Sequence, residues 1–138
     1  MKSLVIDGSA ALGFLLQDER STHSEKILRE MEKGAPNYVP SHWWLETANA
    51  LLAAERSKRI SFPALTEVFN VLRALPVLTD DETEQHSTLA TVSLAREYGL
   101  TVYDAAYLEL ALRRKSSLAT FDKQLAAAAR SAGVNVLH

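Results

Sequence analysis

Four acidic residues stand where a folding chain rarely places isolated charges. They are Asp7 after the apolar run 4–6, Glu46 inside the helical stretch 43–55, Asp104 after residues 101–103, and Asp122 after residues 118–121. A carboxylate beside a buried segment is costly unless it is paired or bound to a cation. If the fold brings the four side chains together, they form a hard-oxygen site suited to Mg²⁺ or Mn²⁺.

Such a site is typical of phosphodiester hydrolysis. Carboxylates at short range raise one another's pKa, and a divalent cation removes that cost. Mg²⁺ keeps several of its waters, so a phosphate and a nucleophilic water have open coordination positions. The bound ion polarises a phosphoryl oxygen and lowers the pKa of the water.

Each of the four acids also has a purely structural explanation. An Asp at a strand-to-helix junction is a good helix N-cap, and Asp7, Asp104 and Asp122 occupy such junctions. Glu46 has the alternative of extending its carboxylate from the helix into solvent. From spacing alone, the capping explanation and the metal-site explanation both remain open.

Composition limits the class of protein. The chain has 138 residues, 47% hydrophobic and 23% charged, which is typical of one globular domain over residues 1–138. It contains no cysteine, which excludes disulfides, zinc–thiolate sites and cysteine nucleophiles. No segment approaches the roughly 20 apolar residues of a membrane helix, and Asp7 interrupts any signal-peptide core. We therefore expect a cytoplasmic protein with no membrane partner.

Short apolar runs alternate with helical patterns along the chain. We predict strands at residues 4–6, 38–39, 77–78, 117–120 and 134–137. We predict helices at residues 10–16, 21–32, 41–57, 62–75, 79–98, 103–114 and 122–132. This alternation indicates an α/β fold with a mainly parallel sheet covered on both faces. Functional groups collect beyond the carboxyl ends of such strands, where Asp7 and Asp122 lie.

Four segments, in order, resemble the motifs of PIN-domain ribonucleases of the VapC toxin type. They are Leu-Val-Ile-Asp-Gly-Ser-Ala at 4–10, Glu-Thr-Ala-Asn-Ala-Leu at 46–51, Leu-Thr-Val-Tyr-Asp-Ala-Ala-Tyr-Leu at 100–108 and Leu-Ala-Thr-Phe-Asp at 118–122. The resemblance implies an α/β/α sandwich with a short sheet of four to five strands. It also implies a Mg²⁺- or Mn²⁺-dependent endoribonuclease with an RNA substrate, a homodimer, and a cognate VapB-type antitoxin that blocks the site.

The same resemblance assigns roles to individual residues. It implies that the metal ligands are Asp7, Glu46, Asp104 and Asp122. The hydroxyl groups of Ser9 and Thr120 would orient the carboxylates or a metal-bound water. Asn49 would be a supporting or substrate contact. Gly8 departs from the pattern, because many relatives carry Thr or another larger residue there. The departure predicts a less constrained first loop.

Other features have two explanations each. One of the adjacent Trp43 and Trp44 is expected in the core and the other either in the core or at a partner surface. Helix 10–16 is apolar on most of its surface, which fits either a partner contact or full burial. We interpret the basic clusters 58–59 and 113–115 as solvated helix ends rather than RNA contacts. We interpret the acidic run 80–82 as a helix cap. The four histidines have no metal-binding spacing.

Two competing functions remain from the sequence. A phosphotransfer domain would use Asp7 as nucleophile with Asp80 and Asp81 as metal ligands, but it lacks the second acid expected at position 9. A non-catalytic interaction domain would instead bind a peptide through Phe14, Trp44 and Phe69. The presence of all four acids argues against that second alternative.

Overall fold

The sheet in the computed structural model, which describes residues 2–138, has five parallel strands in the order β3-β2-β1-β4-β5. The strands are β1 (Leu4–Ile6), β2 (Asn37–Val39), β3 (Leu78–Thr79), β4 (Ser117–Ala119) and β5 (Val136–Leu137). Leu4 and Val5 of β1 pair with Asn37 and Tyr38 on one side, and Ile6 pairs with Ala119 on the other. The prediction of an α/β/α sandwich with a four- to five-stranded sheet is confirmed.

Eight helices connect the strands within the described residues. They are α1 (Gly8–Leu15), α2 (Thr22–Met31), α3 (Trp43–Arg56), α4 (Phe62–Ala74), α5 (Thr83–Ser87), α6 (Ala90–Tyr98), α7 (Val102–Arg114) and α8 (Lys123–Ser131). A short 3₁₀ turn, Gln17–Glu19, follows α1. Among these same residues, no helix combines the length and the apolarity needed to cross a bilayer.

Helix α7 lies at the centre of the fold. It packs against β1, β4 and α6, and seven consecutive residues, 105–111, are buried. A helix that is buried on most of its circumference must be apolar almost all round. The only charged member of this buried run is Glu109, which is paired with Arg113 one turn later. The same helix carries Asp104 in its first turn.

Most predicted elements are confirmed within one to two residues, but the helix predicted at 79–98 is wrong. Thr79 ends β3, and the helical residues divide into α5 and α6 at Thr88 and Leu89. The backbone of Leu89 leaves the helical region at φ −121° and ψ −93°. The hydroxyl of Ser87 donates to the Glu84 carbonyl at 2.6 Å, a local bond that competes with helix continuation.

One of the two tryptophans and most of α1 lie in the core. Trp43 is fully buried, and Trp44 is partly buried with its indole N–H donating to Thr79 Oγ1 at 2.8 Å. In α1, Ala10, Ala11 and Phe14 belong to the core. This helix contacts α2, α3 and α4, so full burial explains its apolar surface.

Candidate active site

The strand order reverses direction between β1 and β4, which are neighbours in the sheet although β2 and β3 separate them in the chain. In open α/β sheets, the crevice beyond the carboxyl ends at such a switch point is where ligands bind. Asp7 directly follows β1, and its backbone N–H donates to the Ala119 carbonyl at 3.1 Å. Thr120 and Asp122 follow β4, so the register of two strands places these three side chains together.

Asp7 is a buried carboxylate, with 5% of its surface exposed. Its Oδ1 accepts from the Ala10 N–H at 2.8 Å and from the Ser9 hydroxyl at 2.8 Å. Its Oδ2 accepts from the Thr120 hydroxyl. Burial raises the pKa of Asp7 to about 6, against the lowering effect of these hydrogen bonds. The carboxylate is thus held in place, but its charge is only weakly compensated.

Ser9 and Thr120 connect the loops after β1 and β4. The Phe121 N–H donates to Ser9 Oγ at 2.9 Å, and the Asp122 N–H donates to Thr120 Oγ1 at 3.0 Å. Both hydroxyls also donate to the Asp7 carboxylate. The geometry therefore agrees with the predicted positioning of carboxylates by these two hydroxyl groups.

Asp104 is not the N-cap of α7. The cap is Thr101, whose Oγ1 accepts from the Asp104 N–H at 3.1 Å, so capping does not require the Asp104 carboxylate. Burial is the main cause that raises the pKa of Asp104, followed by the charges of Asp122 and then Glu46. Asp104 also raises the pKa of Asp7. Asp104 is therefore within electrostatic reach of each of the other three acids.

Asp122 both caps a helix and belongs to the acidic group. Its Oδ1 accepts from the Leu125 N–H at 2.8 Å and so caps α8. Asp7 caps α1 in the same manner through Ala10. The capping explanation is therefore confirmed for these two residues, and it does not exclude the metal-site explanation.

Glu46 is positioned by two side chains that sequence reasoning missed. The Tyr107 hydroxyl donates to Glu46 Oε1 at 2.6 Å, and His42 Nε2 lies 3.2 Å from the same oxygen. Burial raises the pKa of Glu46, but the hydrogen bonds from His42 and Tyr107 outweigh it and the net shift is downward. Since both partners use Oε1, Oε2 has no bond from either of them. Helical spacing was the available signal, because His42 lies four residues before Glu46 and Tyr107 three after Asp104.

A second acidic group lies after β3. Asp80, Asp81 and Glu82 offer oxygens within 4.8 Å of one another, but Arg113 donates to both oxygens of Asp80, at 2.9 and 2.7 Å. Those oxygens are therefore already neutralised by a cation. The run does supply the N-cap position of α5, at Glu82, but the Glu82 side chain makes no cap bond. The prediction that residues 113–115 form a solvated helix end was wrong for Arg113, whose side chain is 17% exposed.

These contacts weaken both competing functions. A phosphotransfer site would need free carboxylates after β3, and Asp80 is bound by Arg113. A peptide-binding surface through Phe14 would need an accessible ring, and Phe14 is 4% exposed. At the switch point, by contrast, the pKa values of Asp7 and Asp104 are raised, and among residues 2–138 no Lys or Arg pairs with either carboxylate. Asn49 is exposed on α3, one helical turn after Glu46.

The raised pKa of Asp7 predicts a pH-dependent stability in the absence of metal. Between pH 4 and pH 6 the unfolded chain releases a proton that the native chain keeps, so the free energy of unfolding falls as pH rises. The shift corresponds to about 3 kcal/mol. Urea unfolding in chelator at pH 4 and pH 7 should show that Asp7→Asn gains stability relative to the parent as pH rises. A difference between the two proteins that does not change with pH would contradict the raised pKa.

Comparison with known proteins identifies the family of this chain. A family model for the PIN domain matches residues 4–131. Ribonuclease VapC3 from Pyrobaculum aerophilum is 30% identical over 128 residues, which cover 89% of this chain and 92% of that protein. The PIN-domain match spans the four segments of this chain on which the family prediction was based.

Solved structures share the fold. The crystal structure of PAE2754 from Pyrobaculum aerophilum has a TM-score of 0.69 at 26% identity and covers 98% of this chain and 83% of that one. VapBC2 from Rickettsia felis, solved with a promoter DNA fragment, has a TM-score of 0.65 at 10% identity, covering 97% and 96% of the two chains. The sequence and the structure agree with the predicted VapC type, and this chain belongs to the PIN-domain family.

Proposed function

We propose that this chain is a Mg²⁺- or Mn²⁺-dependent endoribonuclease of the VapC type, formed by one domain over residues 1–138 and active in the cytoplasm. The observation that carries the proposal is the uncompensated charge at the switch point. Among residues 2–138, no Lys or Arg forms an ion pair with Asp7, Glu46, Asp104 or Asp122. The donors to the buried Asp7 carboxylate are two hydroxyls and one backbone N–H. A bound cation explains why such a group is retained.

The donor set fits a hard divalent ion. The four side chains offer carboxylate oxygens, which Mg²⁺ and Mn²⁺ prefer over the nitrogen and sulfur ligands of softer metals. Asp7, Glu46, Asp104 and Asp122 would hold the ion. When bound, it supplies a polarised phosphoryl group and a water of lowered pKa.

The remaining residues act by holding these carboxylates. Ser9 and Thr120 fix both oxygens of Asp7 from opposite loops. Tyr107 keeps Glu46 in one orientation, and its own pKa is raised by burial and by Glu46, so the phenol stays protonated and donates. Asn49, which is exposed on α3 one turn after Glu46, would support the site or contact the RNA. Preorganised carboxylates need no rearrangement when substrate arrives.

The product ends test this mechanism directly. Attack by a metal-activated water leaves a 5′-phosphate and a 3′-hydroxyl, whereas attack by the RNA's own 2′-hydroxyl leaves a 2′,3′-cyclic phosphate. End-mapping of total RNA after a pulse of expression should give 5′-phosphate ends at discrete sites, and none of these with Asp7→Asn. Cyclic phosphate ends would contradict the proposal.

The partners proposed from the family are a second copy of the chain and a VapB-type antitoxin. The structurally similar chain from Rickettsia felis was solved within VapBC2. Light scattering on the purified chain should give twice the 15.2 kDa chain mass. Addition of the antitoxin should suppress RNA cleavage in proportion to the complex formed, and cleavage that persists in the complex would contradict inhibition.

A further inference from the structure

A cavity of about 350 Å³ borders the candidate active site. Ser9, which donates to Asp7, forms one part of its lining, and Phe121, which lies between Thr120 and Asp122, forms another. His23 and His138 line it as well. Pockets of roughly 300–1,000 Å³ are the size class that holds small ligands. The cavity is therefore large enough for a ligand and is continuous with the residues that hold the acids.

Phe121 is a fixed aromatic surface in this cavity. A Cβ atom added at Gly13 of α1 would lie 2.6 Å from Phe121 Cε2, so the absence of a side chain at Gly13 allows the ring to rest on the helix. The Phe121 N–H is held by Ser9 Oγ at 2.9 Å. The side chain is nevertheless 36% exposed. One part of the ring is supported by α1 while another stays accessible.

Two imidazole rings add further flat surface. His23 and His138 stack with their centroids 6.4 Å apart and an interplanar angle of 26°. Arg130 Nη2 lies 2.6 Å from His138 Nε2 and supports that ring from α8. The lining thus combines aromatic faces with Ser9, Ser21 and Glu19, whose carboxylate is paired with Arg59. This mixture suits a flat ligand with polar edges.

We propose that this cavity binds one unpaired nucleobase of the RNA, stacked on Phe121, next to the phosphate that is cleaved. The inference rests on the proposed ribonuclease function and deepens it by assigning a substrate subsite. Bases in single-stranded RNA are free to stack on aromatic side chains, whereas bases within a duplex are not. Since every base has an aromatic face, such stacking tolerates many sequences. The subsite therefore selects for single-stranded RNA more than for a particular base.

The first test measures RNA binding without cleavage, in the Asp104→Asn background. The probe is a fluorescein-labelled single-stranded RNA that contains one mapped cleavage site, followed by anisotropy. Phe121→Ala should weaken binding by roughly 5- to 150-fold, the range expected for loss of one stacked base. Phe121→Trp should preserve binding. The matched control is Phe62→Ala, because Phe62 is also an exposed aromatic, at 70%, but lies on α4 outside this cavity.

The second test identifies the stacked base. Replacing each base of the probe in turn with an abasic site should give one position at which the abasic change and Phe121→Ala are not additive. Gly13→Ala should reproduce the binding loss of Phe121→Ala by displacing the ring, provided that circular dichroism shows an intact fold. Additive effects at every position would overturn the subsite.

The outcomes separate this inference from the function on which it rests. If the parent cleaves RNA and Phe121→Ala binds the probe equally well, the subsite is wrong and the ribonuclease proposal stands. If the parent neither binds nor cleaves RNA, both are overturned. If Phe121→Ala weakens only inhibition by the antitoxin, the cavity accepts a protein side chain instead of a base, which also overturns the inference.

Discussion

Replacing Asp104 with Asn should reduce metal-dependent RNA cleavage by more than about 100-fold. Loss of an outer partner of a metal ligand typically costs 10- to 100-fold, and Asp104 is proposed as a direct ligand. It also lies in electrostatic contact with Asp122, Glu46 and Asp7, so its charge affects the whole group. Asn keeps the shape of the side chain and removes the charge. Cleavage of a fluorogenic RNA in Mg²⁺ measures the loss directly.

The same substitution separates a functional acid from a structural one. Without metal, Asp104→Asn should melt no lower than the parent, because burial and the neighbouring carboxylates already disfavour the Asp104 charge. A clear drop in melting temperature would instead indicate a structural role. The control is Thr101→Ala, which removes the cap of α7 and should cost about 1 kcal/mol of stability while retaining most cleavage. A loss of stability in Thr101→Ala and a loss of cleavage in Asp104→Asn would assign capping to Thr101 and catalysis to Asp104.

The acids were predictable because their positions follow from local rules. A short apolar run ends at Asp7 and another before Asp122, and parallel strands present their carboxyl ends at one edge. Glu46 and Asp104 were included from their positions on helices, but helical spacing alone does not say which helix faces the sheet edge, so the family resemblance was needed to support their grouping. The position of Asp7 in the sequence was thus enough to place it at the site, and the position of Glu46 was not.

The residues that sequence reasoning missed are joined over long separations. Tyr107 binds Glu46 across 61 positions, and Arg113 binds Asp80 across 33. Hydrophobic periodicity describes one element at a time and contains no information on which side chains of two elements meet. The break at Leu89 was missed for a related reason, because a hydroxyl bond at Ser87 replaces a helical bond without changing the apolar pattern.

Replacing Arg113 with Met should lower the free energy of unfolding by about 3–5 kcal/mol, the range for breaking a buried ion pair. Arg113 donates to Asp80 and Glu109, whose side chains are 0% and 6% exposed. Met fills a similar volume without charge, so Glu109 loses its cation and Asp80 keeps only the more distant Arg114, at 3.5 Å. Urea unfolding at pH 7 measures the loss. Burial raises the pKa of Asp80, but its hydrogen bonds, first of all from Arg113, bring it below its ordinary value. The deficit should therefore shrink as pH falls and Asp80 becomes protonated.

Arg59 offers a control with nearly the same geometry. It contacts Asp18 at 3.0 Å and Glu19 at 2.7 Å, and these three side chains are 40%, 54% and 38% exposed. Water already solvates such charges, so Arg59→Met should leave the urea midpoint almost unchanged. If both variants lose the same stability, pairing geometry rather than burial determines how much each ion pair contributes to the free energy of unfolding. If only Arg113→Met is destabilised, the network between β3 and the C-terminal half of α7 holds the helix that carries Asp104 and Tyr107.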